Sequence, residues 1–533
     1  MKKRIVALLL ATSMVVTCFA GCGKNNTEDE KLVTHESFNE TGYPVVDEEI
    51  TLTVLCPVAT SRAGGLNENE AILKFEEITG VNLEFTEVAS SEWGEELGLT
   101  LASGELPDII LGDMGSTDLA DSIRAGNIID LKPYIEAYGD NIKALMGKVE
   151  GMKESMTLPS GEIASLPYMN MMTESGKCPQ SMLYVYQPWM DKLGLKTPTT
   201  AQEFYDVLVA FKTKDPNGNG KADEIPFLPR NLDNFYELFG LFGIVVQKGN
   251  YFQAIDDEII FTPSTKNFKD GLTYLRKLYE EGLVNKDVIT DGNSETLAKG
   301  SGDVAVAGAT LSAAAFATVG EERQNDMTLV EYIAADGYDM KWLNRKVVNS
   351  GRFMITKDCK YPEIALRVWD YLFSEEGSAL YWMGDENNYT WNADHSAWTW
   401  NLAEGQTVEE LRGTKTLQTT YAMAGGFCSD WFKQDAGSET KANYDRVTLG
   451  TKYADYLGSA IPHGLQYEKE AAEERSIYLT DLNTYVNSAL AQFITGKLDI
   501  EKDWDSFIEQ CNAMKVDEVI RITQEAYDAY IGK

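Results

Sequence analysis

The chain has 533 residues, with 47 Lys and Arg against 83 Asp and Glu, a formal charge of −36. It is long enough for two or more compact units. So acidic a surface repels phosphate backbones and anionic headgroups, which excludes nucleic acid as a partner and a body lying flat on a bilayer. Beyond the first apolar segment no run of about 18 apolar residues follows, so nothing later in the chain is expected to span a membrane.

That first segment is a signal. Lys2, Lys3 and Arg4 form a positive start, and Ile5 to Val16 is a short apolar run. Phe19-Ala20-Gly21-Cys22 then places small residues ahead of a cysteine. The run is too short for a stop-transfer helix and predicts a secretion signal, residues 1–21, that is removed. Ala-Gly-Cys resembles the bacterial lipobox, with Phe19 where that pattern prefers Leu. The resemblance implies an acyl lipid such as palmitate on the Cys22 thiol, with cleavage leaving Cys22 first. An ordinary signal with an incidental cysteine is the alternative; the polar Gly23-Lys24-Asn25-Asn26 behind Cys22 favours the lipid. Each buried methylene contributes about 0.8 kcal/mol, so two or more acyl chains hold a domain durably at a membrane. Losing Lys2, Lys3 and Arg4 moves the charge from −36 to −39. Polar residues dominate from Gly23 to Tyr43, and residues 22–48 are expected to be the lipidated cysteine and a flexible tether. Of the seven cysteines, Cys56, Cys178, Cys359, Cys428 and Cys511 remain in the body. Scattered and odd in number, they suggest neither a disulfide framework nor a zinc site, and mostly free, buried thiols are expected.

The body alternates strands and helices. Ile50 to Leu55 predicts a strand, Asn67 to Thr79 a helix and Val81 to Phe85 a second strand. Trp93 to Ala102 predicts another helix, leading into an extended Leu106 to Leu111. This βαβαβ rhythm argues for parallel sheet flanked by helices. Amphipathic helices are predicted over Thr200 to Lys212, Asn267 to Glu281, Tyr361 to Phe373, Glu474 to Phe493 and Val516 to Tyr530. No period of 20 to 50 residues repeats, so a solenoid is excluded.

Several segments together resemble a known family. They are Phe75-Glu76-Glu77-Ile78-Thr79-Gly80-Val81, Ala102-Ser103-Gly104-Glu105-Leu106-Pro107-Asp108-Ile109, and Gly126-Asn127-Ile128-Ile129-Asp130-Leu131. Leu193-Gly194-Leu195-Lys196-Thr197-Pro198-Thr199-Thr200 and Phe493-Ile494-Thr495-Gly496-Lys497 followed by Trp504 complete the set. Each is weak alone; their order along the whole chain resembles the extracellular solute-binding lipoproteins of ABC importers. The long, carbohydrate-type branch related to oligosaccharide and alginate binders fits best. The resemblance implies an α/β, two-lobed fold of the periplasmic-binding-protein type (type II), with a hinge and a helix-rich C-terminal part. It suggests a first lobe over 49–168, a second over 169–340 and a return to the first over 341–400. Residues 401–533 would then be helix-rich and pack mainly on the second lobe.

In open α/β sheets ligands sit at the carboxyl ends of strands. The loops Ala59 to Gly64 and Gly112 to Ser116 should therefore face a cleft, which nominates Ser61 and Asp113. Leu166-Pro167-Tyr168 resembles the family's first crossing between lobes and nominates Tyr168. Gly126 to Leu131 is taken as a helix stop and buried strand, and Trp189 as packing. Asp215-Pro216-Asn217-Gly218-Asn219-Gly220-Lys221-Ala222-Asp223-Glu224 carries oxygen side chains at positions one, three and five with glycine at six, the requirement of a calcium loop. Asp215, Asn217, Asn219, the Lys221 carbonyl, Asp223 and Glu224 are the expected donors. Pro226 stands where the usual bidentate glutamate would be, and the alginate-binding relatives resemble this arrangement. A solvated Asn-Gly turn is the bland alternative. The ion would be structural.

Sugar rings stack on aromatic planes and are edged by polar groups. Between Tyr381 and Trp400 the chain is dense in Tyr, Trp, Asn and acids without a helical or strand period, and is expected to be a loop. It nominates Trp382, Tyr389 and Trp391. Tyr236 and Trp431 lie in similar stretches, and Arg352 could pair an acid on a solute or a carboxylate of its own fold. No Gly-x-Ser-x-Gly, His-Glu-x-x-His or phosphate-loop pattern occurs, so no catalysis is expected. A lipid-anchored, monomeric receptor passing an oligosaccharide to an ABC permease is the expectation. A peptide or other small-solute receptor of the same fold, a secreted glycan-active enzyme and an adhesin are the alternatives.

Overall fold

In the first strand Ile50, Leu52 and Val54 are buried while Thr51 and Thr53 face outward, the period of two that makes one strand face a core. Leu55 and Cys56 are buried as well, as in a strand covered on both faces. The structure is a computed structural model that describes residues 32–58, 64–171, 177, 179–395, 398–406, 408–417, 423–428, 450–462 and 464–533. Two compact units are distinguished, Met1–Thr34 and His35–Lys533; the strands and helices that follow belong to the second.

Its strands, in chain order, are β1 (Ile50–Val58), β2 (Val81–Ala89), β3 (Ile109–Leu111), β4 (Leu166–Met171), β5 (Met182–Tyr186), β6 (Ile225–Phe227), β7 (Phe252–Ile255) and β8 (Glu258–Phe261). They continue with β9 (Ala307–Ser312), β10 (Met327–Leu329), β11 (Trp342–Leu343), β12 (Val348–Ile355), β13 (Tyr389–Trp391), β14 (Trp398–Trp400), β15 (Gly425–Cys428) and β16 (Leu457–Gly458). One sheet has the order β15-β4-β12-β3-β1-β2, another β10-β5-β9-β6. In the first, β1 is parallel to β2 and β3, and β12 runs antiparallel to β3 and β4. In the second, β6 is parallel to β9 and antiparallel β5 joins β9 to β10. Two stretches run side by side between the sheets. Asn170 N donates to Val347 O at 3.2 Å, Pro179 and Asn344 form an antiparallel bridge, and Gln180 N donates to Leu343 O at 2.8 Å.

Helix ends follow local chemistry. Asn69 caps Glu70–Thr79 by accepting from Ala71 N and Ile72 N, and Gly80 closes it at φ +73°. Thr200 caps Ala201–Thr213, while Glu203 reaches back to Thr199 N at 2.8 Å. The expected helix Tyr361 to Phe373 is α-helical over Pro362–Asp370 and tightens to 3-10 over Tyr371–Phe373. The C-terminal helices Lys469–Thr495, Ile500–Ala513 and Val516–Tyr530 place Leu482, Val486, Leu490, Phe493, Phe507 and Val519 in one core with the second sheet.

Two expectations are corrected. Residues 35–48, assigned to the tether, are packed. His35 N donates to Glu363 Oε1 at 2.8 Å, Arg367 Nη2 donates to Gly42 O at 2.9 Å, and Val45 and Val46 are buried. Composition averaged over a polar stretch hides a few apolar anchors at its end. Residues 381–400 are not a loop: they contain the end of helix Glu375–Met383 and the hairpin β13–β14. Strands of three residues are too short to display a period. Residues 401–533, expected to be helix-rich, also contain β15, which adds a parallel edge to the first sheet beside β4. Cys56, Cys359, Cys428 and Cys511 are buried and form no disulfide among the described residues, and Cys178 lies outside the described residues. Burial pushes the Cys359 and Cys511 thiols up to about 12, far from reactive.

Candidate functional site

At the carboxyl end of β3 the chain turns through Gly112 to Gly115 against the middle of β12. Gly112 N donates to Arg352 O and Met114 N to Gly351 O, each at 3.1 Å. Gly351 sits at φ +77°, and a Cβ there would lie 2.0 Å from Met114 O, so only glycine fits. This close approach brings Arg352 Nη2 within 3.2 Å of Asp113 Oδ2. Two nominated residues thus meet each other, and Arg352 pairs a carboxylate of its own fold. Asp113 is largely exposed, so the pair orients the arginine more than it stabilises the fold.

A second, polar site opens at the carboxyl ends of β6 and β9, beside the start of β5. It is a cavity of about 370 Å³. The amides of Gln180, Asn231, Asn234, Gln247, Asn250 and Asn293 line it, with Arg230, Asp233, Glu237 and Lys248. The local fold explains the crowding. Arg230 N donates to Leu311 O at 3.1 Å as the chain leaves the sheet. Asn231 then caps helix Leu232–Tyr236 by accepting from Asn234 N at 3.1 Å, and its Nδ2 donates to Asn293 Oδ1 at 2.9 Å. Ser181 Oγ, Asn234 Nδ2 and Glu237 Oε1 form a closed, buried triangle. Burial pushes Glu237 up to about 8, against the two hydrogen bonds that favour its anion.

Among the nominated residues, Tyr236 belongs to that same helix but points the other way. It is fully buried against Phe239, ring centroids 6.2 Å apart. Asp233, Asn234 and Glu237 line the cavity, and Tyr236 does not. Tyr168 on β4 is buried too, 6.1 Å from the Tyr381 ring. Trp382, Tyr389 and Trp391 lie in one cluster. With Trp400 they are half-buried around Met383 and Trp398. Tyr389 meets Trp391 and Trp398 edge-on at 6.2 and 5.9 Å, and the Arg412 guanidinium lies 5.5 Å from the Trp382 ring. Cys22, Ser61 and Trp431 lie outside the described residues. The polar cavity was missed in the sequence; the loop after Phe227, Leu228-Pro229-Arg230-Asn231, ends a strand and could have nominated it.

The 215–224 loop wraps as its glycines allow. Gly218 and Gly220 take φ +75° and +71°. Asp215 accepts from both of their amides, at 2.9 and 3.1 Å, and Asp223 accepts from Asn217 and Asn219 side chains. Those two amides hold Asp223 below the usual carboxylate range. Glu224 Oε1 is buried without a partner, and burial, then the charges of Asp215 and Asp223, raise its carboxyl. Gathered carboxylates with one orphaned oxygen suit a hard cation. Among the described residues no group of three or more His, Cys, Asp and Glu side chains is set to hold a metal, so the amides and a carbonyl would have to contribute.

The sequence profile of the bacterial extracellular solute-binding proteins matches residues 59–379, more than half of the chain. The chain belongs to this family. FusA, a fructooligosaccharide ABC transporter substrate-binding protein of Streptococcus pneumoniae serotype 4, is 33% identical over 301 residues, 55% of each chain. Lipoprotein LipO of Bacillus subtilis is 28% identical over 290 residues, 54% of this chain and 52% of its own. The chain thus spans about half the length of the curated relatives it matches. The solved structure of S. pneumoniae FusA with kestose superposes with a TM-score of 0.71 at 24% identity, covering 90% of this chain and 99% of that one. A FusA EF-hand mutant with fructo-nystose gives 0.70 at 23%, with the same coverage. An HMO-binding, ABC-transporter-associated solute-binding protein of Bifidobacterium longum infantis gives 0.75 at 22%, covering 91% and 99%. At these identities the likeness is one of fold, the two-lobed fold of solute-binding proteins.

Proposed function

We propose that this protein captures an oligosaccharide outside the cell membrane and hands it to an ABC permease. The observation that carries the reading is the amide-rich cavity at the carboxyl ends of β6 and β9, next to the paired stretches that join the sheets. Amides and hydroxyls arranged around a cavity match a ligand made of hydroxyls and ring oxygens. The aromatic cluster of Trp382, Tyr389 and Trp391 supplies flat faces for sugar rings, and the 33% identity to a fructooligosaccharide binder points the same way.

In this reading the lobes are residues 49–168 with 341–400, and residues 169–340 with most of 401–533. The paired positions Asn170 with Val347, Pro179 with Asn344 and Gln180 with Leu343 mark the hinge; solute touching both walls shifts the population toward a closed form, which docks on the permease. No bond is made or broken. Calcium held by Asp215, Asn217, Asn219, the Lys221 carbonyl, Asp223 and Glu224 pins a surface loop, and lipidated Cys22 anchors a monomer to the membrane.

A thermal-shift screen tests the solute. Kestose, fructo-nystose, HMO fractions and a peptide set are offered to the chain from Gly23 onward, with calcium present. A ligand at about a hundred times its Kd adds about 2.7 kcal/mol and raises Tm visibly. A shift from one glycan series without product is the expected result. Product in the same wells would make the protein an enzyme, and a shift from peptides alone would transfer the reading to a peptide receptor.

A further inference from the structure

Glu237 lines the polar cavity with only 6% of its surface exposed. Its Oε1 accepts from Ser181 Oγ at 2.8 Å and Asn234 Nδ2 at 2.9 Å, and Asn234 Nδ2 also donates to Ser181 Oγ at 2.8 Å. Trp342 Nε1, donating to Ser181 O at 2.6 Å, holds the triangle from behind. Oε2 is buried and has no partner. A buried anion with one bare oxygen is the arrangement proteins avoid. A neutral carboxyl relieves it. Because Oε1 already accepts two bonds, the proton belongs on Oε2, which then becomes a donor still in need of an acceptor. Arg230 Nε, on a residue lining the same cavity, is a second buried donor without a partner. Two unsatisfied donors beside one cavity call for a ligand rich in oxygen acceptors.

We propose that Glu237 is a specificity-determining residue of the solute site, meeting the solute as a neutral acid that donates Oε2–H to a hydroxyl, ring or glycosidic oxygen of an uncharged sugar. The proposal rests on the solute-binding reading above. Burial is the main force keeping the acid neutral, and it lifts the group to about 8. Asp233, one turn earlier, adds to it; Arg230 and Lys248 at the cavity and the Tyr453 hydroxyl, bonded to Val330 O, are the other titratable or charged groups near it. The protonated form therefore prevails at neutral pH and is lost as pH rises through 8. A cationic amine, which offers only donors, would be rejected.

Isothermal titration calorimetry at pH 7 and pH 9 tests this, with kestose first and then whichever sugar the thermal-shift screen returns. If only the protonated acid binds, affinity should fall about tenfold between the two pH values. Glu237→Gln places an N–H donor where Oε2–H stood and should keep the pH 7 affinity within a few-fold while abolishing the fall. Glu237→Leu should bind at least tenfold more weakly at pH 7, with near-ultraviolet circular dichroism checking its fold. Sugar binding that is flat with pH in the parent, or a Glu237→Gln variant that still shows the tenfold fall, overturns the role of Glu237 alone. No binding by any sugar overturns the solute reading and this inference with it.

Discussion

Gly351 shows how much one missing Cβ decides. Its left-handed φ and the 2.0 Å approach to Met114 O leave no room for a side chain, and the β3–β12 junction that carries Asp113 and Arg352 is built on that contact. Gly351→Ala should lower stability by roughly 2–4 kcal/mol, since it forces both a strained conformation and a backbone shift. A urea midpoint that stays within error of the parent would refute the packing account. Asp113 was legible in the sequence as a residue at a strand's carboxyl end, and Arg352 as a cation that could pair an acid on a solute or a carboxylate of its own fold; that the two pair with each other was not. Tyr236 illustrates the opposite error, an aromatic chosen for its polar neighbours when only the neighbours face the cavity.

At the scale of the element, the 215–224 loop is the most explicit message in the chain. Oxygens and glycines at fixed offsets within ten residues dictate a wrapped conformation whatever surrounds them, and the structure wraps as the spacing requires. Adding a chelator to the parent should therefore lower Tm, and Asp215→Ala should remove most of that response by deleting the first ligand. A site held at about a hundred times its Kd in calcium would contribute about 2.7 kcal/mol. An unchanged melting curve in both experiments would return the loop to an Asx-stabilised turn. The hairpin β13–β14 was illegible for a physical reason: Trp391–Trp398 and Tyr389–Trp400 pairs, not any repeating pattern, hold three-residue strands together.

For the whole molecule, location and closure decide function. No helix among the described residues is long and apolar enough to cross a membrane. If the lipid proposed on Cys22 is the attachment, Cys22→Ser should release the protein from the membrane fraction into the medium. Retention of the variant on membranes, measured by fractionation and immunoblot, would end that assignment. The contacts of His35 and Gly42 with helix Pro362–Asp370 make residues 35–48 part of the folded body rather than of a tether.

By itself the sequence determined what depends on short range. Periodicity named the βαβαβ start and the long helices, and fixed offsets named the wrapped loop at 215–224. Ordered motifs along the chain named the family. Hydrogen bonding, capping and side-chain period act between residues a few positions apart, so they are written in the order of the letters. The tertiary structure alone decided which residues share a cavity. Ser181, Arg230, Asn234, Glu237, Asn250 and Asn293 come from segments more than 100 positions apart end to end, and they converge because β5, β6 and β9 hydrogen-bond into one sheet. The unpaired oxygen of Glu237 is likewise a property of burial, which no single stretch of sequence carries.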